Sequence, residues 1–398
     1  MTAPAVQPAG KTALVLTGGG ARAAYQVGVL NAVKELLPVA RTNPFQILCG
    51  TSAGAVNAAT LAVYAENFGL GVRFLHEVWS NFHTHQVYRS DPLGILGSGA
   101  RWLSALMFGW LATQNPRSLL DNRPLRHLLE TSLDMSRIDR AIESGALYAL
   151  SITASGYSSG ESVSFFQAAA DAQTWKRTQR AGVRERITVD HLMASSAIPF
   201  IFPAVKIHRE YFGDGSMRQL APVSPAIHLG AERILVIGAG RMGQERERQR
   251  GEDYPSLAQI AGHALSSIFL DSLSVDLERL QRINKTLGII PPEVRERNDL
   301  PLRPIETLVI SPSQRLDYIA ARHVKSLPWA VRSLLGGLGA TRKNGSALAS
   351  YLLFEKPFIR ALIELGYTDT MAKREEVASF LGIAQGAENR AAAPAAVT

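Results

Sequence analysis

A serine set among small residues gives the chain a candidate nucleophile. Residues 50–54 read Gly-Thr-Ser-Ala-Gly, which matches the G-x-S-x-G pattern. The pattern lies between an apolar run at 45–49 that predicts a strand and an alanine-rich run at 55–65 that predicts a helix. A sharp turn there would lift the Ser52 hydroxyl above the edge of a sheet, and the helix N-terminus would favour a developing anion. We therefore expect Ser52 to attack a carbonyl carbon, although a turn packed with small residues for its own sake would give the same pattern.

Three consecutive glycines form a second candidate site. Gly18, Gly19 and Gly20 follow an apolar run at 12–17 that predicts a buried strand, and a helical pattern then extends from Ala24 to Leu37. Successive glycines before a helix expose backbone N–H groups around a concavity that suits an oxyanion or a phosphate. Both kinds of ligand are compatible with these residues alone.

The same glycines also match the dinucleotide fingerprint G-x-G-x-x-G/A, with Ala23 at its last position. That fingerprint requires an acidic residue about 20 positions further on, at the end of the next strand, to bind a ribose hydroxyl. Residues 38–43 contain no acidic residue, and the next predicted strand ends in the serine motif instead. We therefore favour an oxyanion site over a hydride-transferring oxidoreductase, which would have no use for Ser52.

Three signatures along the chain occur in a characteristic order. They are Gly18-Gly19-Gly20-Ala21-Arg22, the Ser52 motif and Asp214-Gly215-Ser216, the last preceded by Ala194-Ser195-Ser196-Ala197-Ile198-Pro199. This ordered set resembles the patatin-like phospholipase family over residues 12–240. The sequence departs from the usual family pattern at Ala23, where glycine is usual, and at Ser216, where alanine or glycine is usual.

The resemblance implies a three-layer α/β/α sandwich with a mostly parallel central sheet, and the helical pattern further along the chain adds a mainly helical C-terminal extension. The resemblance also implies hydrolysis of a lipid acyl ester, of the phospholipase A or lysophospholipase type, with Ser52 as nucleophile and Asp214 as base. The substrate would be a phospholipid or another acyl ester, and we expect neither a cofactor nor a metal ion. The oxyanion hole would use the loop of Gly18, Gly19, Gly20, Ala21 and Arg22, and the other motif residues are Gly50, Gly54 and Gly215.

The base that serves Ser52 decides the mechanism. A carboxylate with its ordinary pKa of about 4 is a poor match for a serine hydroxyl at neutral pH, so we expect burial to raise the pKa of Asp214. A histidine base would follow the order of the α/β-hydrolases. The histidines downstream of Asp214 are His228, His263 and His323, and none of them lies in an informative local motif.

Two further functions stay open beside hydrolysis. The same serine and aspartate could transfer the acyl group to an acceptor other than water. Alternatively, the chain could be a catalytically silent protein that binds membranes or regulates a partner, if the methyl group of Ala23 crowds the glycine loop.

The rest of the chain predicts further strands and helices. Strands are expected at 147–153, 162–167, 205–212, 233–238 and 305–310. Apolar residues at helical spacing predict one long helix over 257–287, ended by Gly288 and two prolines, and more helices near 344–365. We divide the chain into a catalytic domain at 12–240, a mainly helical region with one further strand at 241–383, and a disordered tail at 384–398.

Composition narrows the class of protein. The 398 residues are 46% apolar and 19% charged, which excludes a disordered, collagenous or coiled-coil chain and allows a large core. Cys49 is the single cysteine, so a disulfide scaffold and a multi-cysteine zinc site are excluded, and we expect it to be buried in a strand. The chain has no run of 18 uncharged apolar residues, and residues 1–11 do not read as a secretory signal. We therefore expect a globular cytoplasmic protein.

The net charge of +8 allows two interpretations. A basic surface would attract phosphate on lipid head groups or nucleic acid, whereas the plainer interpretation is a solvated helix or loop. The sequence contains no zinc finger, no RRM signature and no interleaving of basic and aromatic residues, so we expect no nucleic-acid partner. The basic residues cluster at Lys176, Arg177, Arg180, Arg184 and Arg186.

The most apolar stretch, residues 93–112, is interrupted only by Arg101 and contains Trp102 and Trp110. It predicts either a lid that dips into a bilayer with its tryptophans at head-group depth, or a helix buried by its neighbours or by a second subunit. The first alternative favours a peripheral protein on the inner face of the membrane, and the second favours a homo-oligomer.

Overall fold

The computed structural model describes residues 10–92, 97, 118–241, 256–298, 302–337, 339–340 and 346–383. Its centre is one sheet of ten strands. The strands are β1 (Lys11–Leu16), β2 (Ile47–Thr51), β3 (Ala149–Gly156), β4 (Ser162–Ala168), β5 (Trp175–Arg177), β6 (Arg180–Arg184), β7 (Val205–Ile207), β8 (Glu210–Asp214), β9 (Ala231–Ile237) and β10 (Glu306–Ile310).

The sheet is parallel on one side and mixed on the other, where β4 and β6 are also parallel. Its main path has the order β10-β9-β1-β2-β3-β4-β6-β5, and the first five strands of this path run parallel to one another. Strand β4 runs antiparallel to β3, and β8 also pairs antiparallel with the end of β3. Because parallel neighbours need crossover connections, the parallel half requires helices on the faces of the sheet.

Helices supply these connections and most of the C-terminal region. A π-helical segment, Ser267–Asp271, joins two of them into one long rod. The helices are α1 (Ala24–Leu36), α2 (Ala53–Val63), α3 (Phe68–Ser80), α4 (Thr84–Val87), α5 (Arg123–Ser132), α6 (Arg137–Glu143), α7 (Val189–Ser195), α8 (Ser224–His228), α9 (Leu257–Ser266), α10 (Ser272–Ile289), α11 (Pro292–Arg297), α12 (Leu316–His323), α13 (Trp329–Gly337), α14 (Ser346–Leu352), α15 (Lys356–Met371) and α16 (Arg374–Phe380).

Strand β1 shows why the molecule has three layers. Its side chains alternate between the two faces of the sheet, so Leu14 and Leu16 enter one apolar core while Ala13 and Val15 enter the other. Helices α1, α2, α3 and α15 cover the first core, and α8 and α10 cover the second. The predicted α/β/α sandwich with a mostly parallel sheet and a helical C-terminal region is therefore confirmed.

Most of the predicted elements are present, with two corrections. The single strand expected at 205–212 is a hairpin of β7 and β8, with His208 in the turn at φ 51°. The basic cluster is not the solvated helix or loop that we expected, because Trp175–Arg177 and Arg180–Arg184 pair as a hairpin at the edge of the sheet. Charged side chains on an edge strand discourage pairing with another chain, which accounts for this cluster without a phosphate ligand.

Several expectations concern residues that the structure does not describe. The apolar segment at 93–112 with Trp102 and Trp110 lies almost wholly outside the described residues, as does the tail at 384–398. Within the described parts of the chain, no helix combines the length and the apolar character needed to cross a bilayer.

The C-terminal helix α15 packs along α1 at very short range. A Cβ added to Gly28 of α1 would overlap the carbonyl oxygen of Ile363, and one added to Gly366 of α15 would overlap the carbonyl oxygen of Tyr25. The two helices therefore approach backbone to backbone, and the glycines are what permits it. Since α1 follows the glycine loop directly, this contact fixes the helix that carries the loop.

We expect Gly28→Ala to destabilise the protein by about 1–3 kcal/mol, because the two helices must separate to admit the methyl group. Gly288→Ala is the matched control, since it makes the same change in a helix with no atom within 4 Å of the new Cβ. Urea denaturation of both variants measures the difference. Equal free energies of unfolding in the two variants would contradict the close approach of α1 and α15.

Candidate active site

Ser52 occupies a strained turn between β2 and α2. Strand β2 ends at Thr51, helix α2 begins at Ala53, and Ser52 between them adopts φ 54° and ψ −130°. A positive φ at a non-glycine residue costs about 1–3 kcal/mol and persists only where the surroundings enforce it. Ser52 is 1% exposed. The predicted strand–turn–helix context of the serine motif is therefore present.

Two glycines leave the space that this turn requires. A Cβ on Gly50 would lie 2.5 Å from the Cα of Ala55, and a Cβ on Gly54 would overlap the carbonyl oxygen of Leu16. Both neighbours are backbone atoms, which cannot move aside without displacing β1 or α2. The spacing of the motif is thus set by close packing of the strand, the turn and the helix.

Ser195 holds the turn of Ser52 in place through two hydrogen bonds of its hydroxyl group. This fully buried residue ends α7, and its Oγ accepts a hydrogen bond from the Ser52 N–H at 2.8 Å. The same hydroxyl donates to the carbonyl oxygen of Thr153 in β3 at 2.6 Å. One side chain therefore ties the strained residue to the central sheet, and its removal would leave two buried polar groups without partners.

Strand β3 brings Asp214 to Ser52. Thr51 is paired with Thr153 in the parallel ladder of β2 and β3, and Asp214 is paired with Ala154 in the antiparallel ladder of β3 and β8. Thr153 and Ala154 are consecutive in β3. Ser52 directly follows the partner of the first, and Asp214 is the partner of the second, so the two residues lie close together. The backbone N–H of Asp214 also donates to the carbonyl oxygen of Ala197 at 2.9 Å, which anchors it to the loop after α7.

The carboxyl group of Asp214 is completely buried. Its Oδ1 accepts a hydrogen bond from the Ser216 N–H at 2.9 Å, and its Oδ2 makes no hydrogen bond of standard geometry with the described residues. Burial raises the pKa of Asp214 to about 6, and hydrogen bonding from the Ser52 side chain, the Ser216 backbone and the Ser216 side chain opposes the rise. The strand pairing thus brings Ser52 close to Asp214, and the Ser52 side chain is one of the groups that oppose the rise in the pKa of this carboxyl group.

The glycine loop presents free backbone donors beside this pair. In the described part of the chain, the N–H groups of Gly18, Gly19 and Gly20 donate no hydrogen bond. Gly20 lines the same cavity as Ser52 and has φ 53°. Helix α1 begins four residues after Gly20 and adds the partial positive charge of its N-terminus.

The Arg22 side chain points away from this centre. Its Nε donates to Ser350 Oγ at 2.8 Å, its Nη1 donates to the Tyr351 hydroxyl at 3.0 Å, and its guanidinium lies 3.9 Å from the centre of the Tyr351 ring. These contacts fasten the glycine loop to α14. The Arg22 N–H donates to the carbonyl oxygen of Gly19 at 3.1 Å, so neither the side chain nor the backbone of Arg22 offers a free donor to the oxyanion site.

Ser52 lines an apolar cavity. The cavity has a volume of about 70 Å³ and lies between α2, α3 and α5, with Gly20, Ser52 and Ser196 among its lining residues. The wall is almost entirely hydrocarbon and aromatic. Its larger side chains are Val56, Phe74, Leu75, Trp79, Phe82, Leu125, Leu129, Leu133, Phe202 and Phe354.

The candidate histidine bases lie elsewhere. His228 stacks on the Trp175 ring at 4.9 Å, and burial together with Arg177, Arg180 and Arg303 lowers its pKa to about 4. His263 is exposed on α9, and His323 ends α12. Among the described residues no histidine lines the cavity at Ser52. Cys49 is buried in β2, as expected, and burial raises the pKa of its thiol.

The structure thus brings Ser52, Asp214 and the glycine loop together, and it packs Gly50, Gly54 and Gly215 tightly around them. The role of Ser195 and the cavity are the features of this site that the sequence alone does not predict. The part of Ser195 depends on contacts with residues 52 and 153, which the sequence does not place together. The helices that line the cavity carry large apolar side chains, a pattern that is equally typical of an ordinary core.

Comparison with known proteins agrees with the three signatures. A family model described as patatin-like phospholipase matches residues 14–227, which is more than half of the chain. The chain therefore belongs to the patatin-like phospholipases, a family of lipid hydrolases. No curated protein matches the sequence.

Two solved structures show a distant overall similarity. VipD from Legionella pneumophila is 13% identical, with 94% of this chain and 69% of that chain covered and a TM-score of 0.34. The type III effector protein ExoU is 15% identical, with 87% of this chain and 78% of that chain covered and a TM-score of 0.25. The assignment to the family comes from the sequence match.

We expect Asp214→Asn to stabilise the fold at pH 8. The pKa of Asp214 rises from 3.8 to about 6 on folding, so its contribution to stability is full below pH 3.8 and is lost as pH rises through about 6. Asparagine does not ionise, so the variant keeps this contribution to the free energy of unfolding, which amounts to about 1–3 kcal/mol at pH 8. Urea denaturation at pH 8 and pH 4 measures it, with pH 4 as the control. An equal gain at both pH values would contradict the buried charge.

Proposed function

We propose that the protein is a lipid acyl hydrolase of the phospholipase A or lysophospholipase type, with Ser52 as nucleophile and Asp214 as base. The observation that carries this proposal is the fully buried Asp214 carboxyl group that strand β3 brings beside Ser52, a residue that lines an apolar cavity. A lipid acyl chain fits a cavity of this chemistry, because its wall offers hydrocarbon contact and almost no polar groups.

The first half of the reaction acylates the serine. Ser52 Oγ attacks the ester carbonyl carbon while Asp214 accepts the hydroxyl proton, which produces a tetrahedral intermediate with one negative oxygen. The intermediate then expels the alcohol, and Asp214 returns the proton to the oxygen of that leaving group. The products at this stage are the free alcohol portion of the lipid and an acyl ester of Ser52.

The second half releases the fatty acid. A water molecule attacks the acyl ester, and Asp214 takes its proton as the second tetrahedral intermediate forms. Collapse of this intermediate expels Ser52 Oγ, which receives the proton back from Asp214. The carboxylate and the hydroxyl are then regenerated, so neither a histidine nor a metal ion is needed to balance the protons.

The free N–H groups of the glycine loop suit the negative oxygen of both intermediates. Gly18, Gly19 and Gly20 have no other acceptor among the described residues, and fixed donors of this kind contribute about 3–4 kcal/mol each to transition-state stabilisation. The position of Ser52 before the first turn of α2 adds a favourable dipole. We therefore assign the oxyanion hole to the backbone N–H groups of Gly18, Gly19 and Gly20.

We further propose that residues 12–240 form the catalytic domain and that residues 241–383 support it. All groups assigned above to the reaction lie in the first part. The second part contributes β10 to the same sheet and holds the glycine loop through α14. Attack on a lipid within a bilayer would make the protein peripheral to the membrane, and its cytoplasmic location and oligomeric state remain predictions.

We expect both Ser52→Ala and Asp214→Asn to reduce fatty-acid release from phosphatidylcholine vesicles at least about 1,000-fold, because each change removes a group required in both half-reactions. Asp276→Asn is the matched control, since Asp276 is also a buried carboxyl group with a raised pKa but lies against Val223 on the other face of the sheet. Activity that survives in either active-site variant would refute the proposed base and nucleophile.

We expect Leu129→Trp to shorten the acyl chains that the enzyme accepts. Leu129 of α5 is 3% exposed and lines the cavity, so an indole at this position would fill space that a long chain needs. Hydrolysis of p-nitrophenyl palmitate should fall about 10-fold relative to hydrolysis of p-nitrophenyl acetate, since each buried CH₂ contributes about 0.8 kcal/mol. An unchanged ratio of the two rates, in a variant that keeps its thermal stability, would show that the acyl chain binds elsewhere.

A further inference from the structure

Ser216 carries a buried hydroxyl group that lacks a hydrogen-bond partner among the described residues. The residue is 6% exposed, and its Oγ makes no hydrogen bond of standard geometry with the described residues. A buried hydroxyl without a partner costs free energy, so its retention calls for a role. Ser216 is also one of the two positions at which this sequence departs from the pattern it otherwise resembles.

The surroundings of Ser216 place its hydroxyl between the carboxyl group and the glycine loop. The backbone N–H of Ser216 donates to Asp214 Oδ1 at 2.9 Å, and the other oxygen, Oδ2, has no hydrogen bond of standard geometry. A Cβ built on Gly18 would overlap Ser216 Oγ, so the hydroxyl lies directly beside the first glycine of the loop. Phe269 of the π-helical segment closes the same space, 2.8 Å from that Cβ position.

Asp214 Oδ2 and Ser216 Oγ are both buried and both without a partner, and a hydrogen bond between them would satisfy both groups. The hydroxyl already lies close enough to the carboxyl group to lower the pKa of Asp214, as the Ser52 hydroxyl does. A carboxylate oxygen accepts more than one hydrogen bond, so Ser216 need not displace Ser52.

We propose that Ser216 is a positioning residue for Asp214: its hydroxyl donates to the carboxylate, holds it ionised inside an apolar environment and keeps it oriented toward Ser52. This inference rests on the proposed function, because it concerns the base of that reaction. The inference adds a second side-chain hydrogen-bond donor to the base, namely the hydroxyl group of Ser216.

Charged neighbours do not compete with this effect. Burial is the largest cause of the pKa shift at Asp214, and every other cause is a hydrogen bond from Ser52 or Ser216. Around this site, the Arg22 guanidinium of the glycine loop contacts α14, and Arg218 and Asp271 are exposed. Tyr157 is the titratable neighbour, and Asp214 contributes to raising the pKa of its phenol, so it is neutral at pH 7.

The test is the pH dependence of kcat/KM for p-nitrophenyl acetate between pH 4.5 and 8.5. Loss of a donor to the charged form raises the pKa of a carboxyl group, so the acid limb of Ser216→Ala should move upward by roughly 0.5–1 pH unit. Ser216→Thr, which keeps the hydroxyl, should restore the wild-type midpoint. Ser151→Ala is the matched control: it also removes a buried hydroxyl without a partner, but from a position three residues before Ala154 in β3, and its midpoint should not move.

An acid limb of Ser216→Ala that coincides with that of the wild type would overturn the inference while the proposed function stands. A wild-type enzyme without ester hydrolysis, or one whose acid limb persists in Asp214→Asn, would instead overturn the proposed function. Circular dichroism verifies the fold of each variant. If Ser216→Ala does not fold, Ser216→Gly makes the same comparison with a smaller residue.

Discussion

The burial of one carboxyl group beside a serine hydroxyl is the interaction on which the rest of the site depends. Asp214 is removed from water entirely, and this raises its pKa to about 6. A carboxyl group with its ordinary pKa would be a weaker base, and one that was buried without donors would remain protonated at neutral pH. The site therefore requires both an apolar enclosure and a small set of hydrogen bonds, and the surrounding elements provide each of them.

Strand β3 and its neighbours maintain this geometry despite the backbone strain at Ser52. The strain of Ser52 at φ 54° is offset by the bond to Ser195, by the tight packing of Gly50 and Gly54, and by the ladder of β2 and β3. The C-terminal region acts on the glycine loop in a comparable way. Gly20 lies against the Tyr351 carbonyl group, and Arg22 is bound to the Tyr351 side chain, so α14 fixes the backbone of the glycine loop.

The sequence predicts the parts of this arrangement that local chemistry determines. Ser52 and the three glycines lie at turns between a strand pattern and a helix pattern. Such turns can be predicted from the sequence because only small residues fit them. The pairing of Asp214 with β3 joins residues far apart in the chain, so no local pattern predicts it. Only the order of the three motifs points to Asp214. Ser195 could not be foreseen for the same reason, and the strands at 175–184 were misread because their charged residues suggested a solvated surface.

The rate at which a small fluorophosphonate modifies Ser52 tests the central claim most directly, since that reaction needs the nucleophile and its base but no acyl chain. The rate constant should follow one ionisation with a midpoint near pH 6, the pKa to which burial raises Asp214. In Asp214→Asn it should fall at least about 100-fold and lose its pH dependence. Modification of Ser52 at the wild-type rate in that variant would contradict the pairing of the buried carboxylate with the serine hydroxyl.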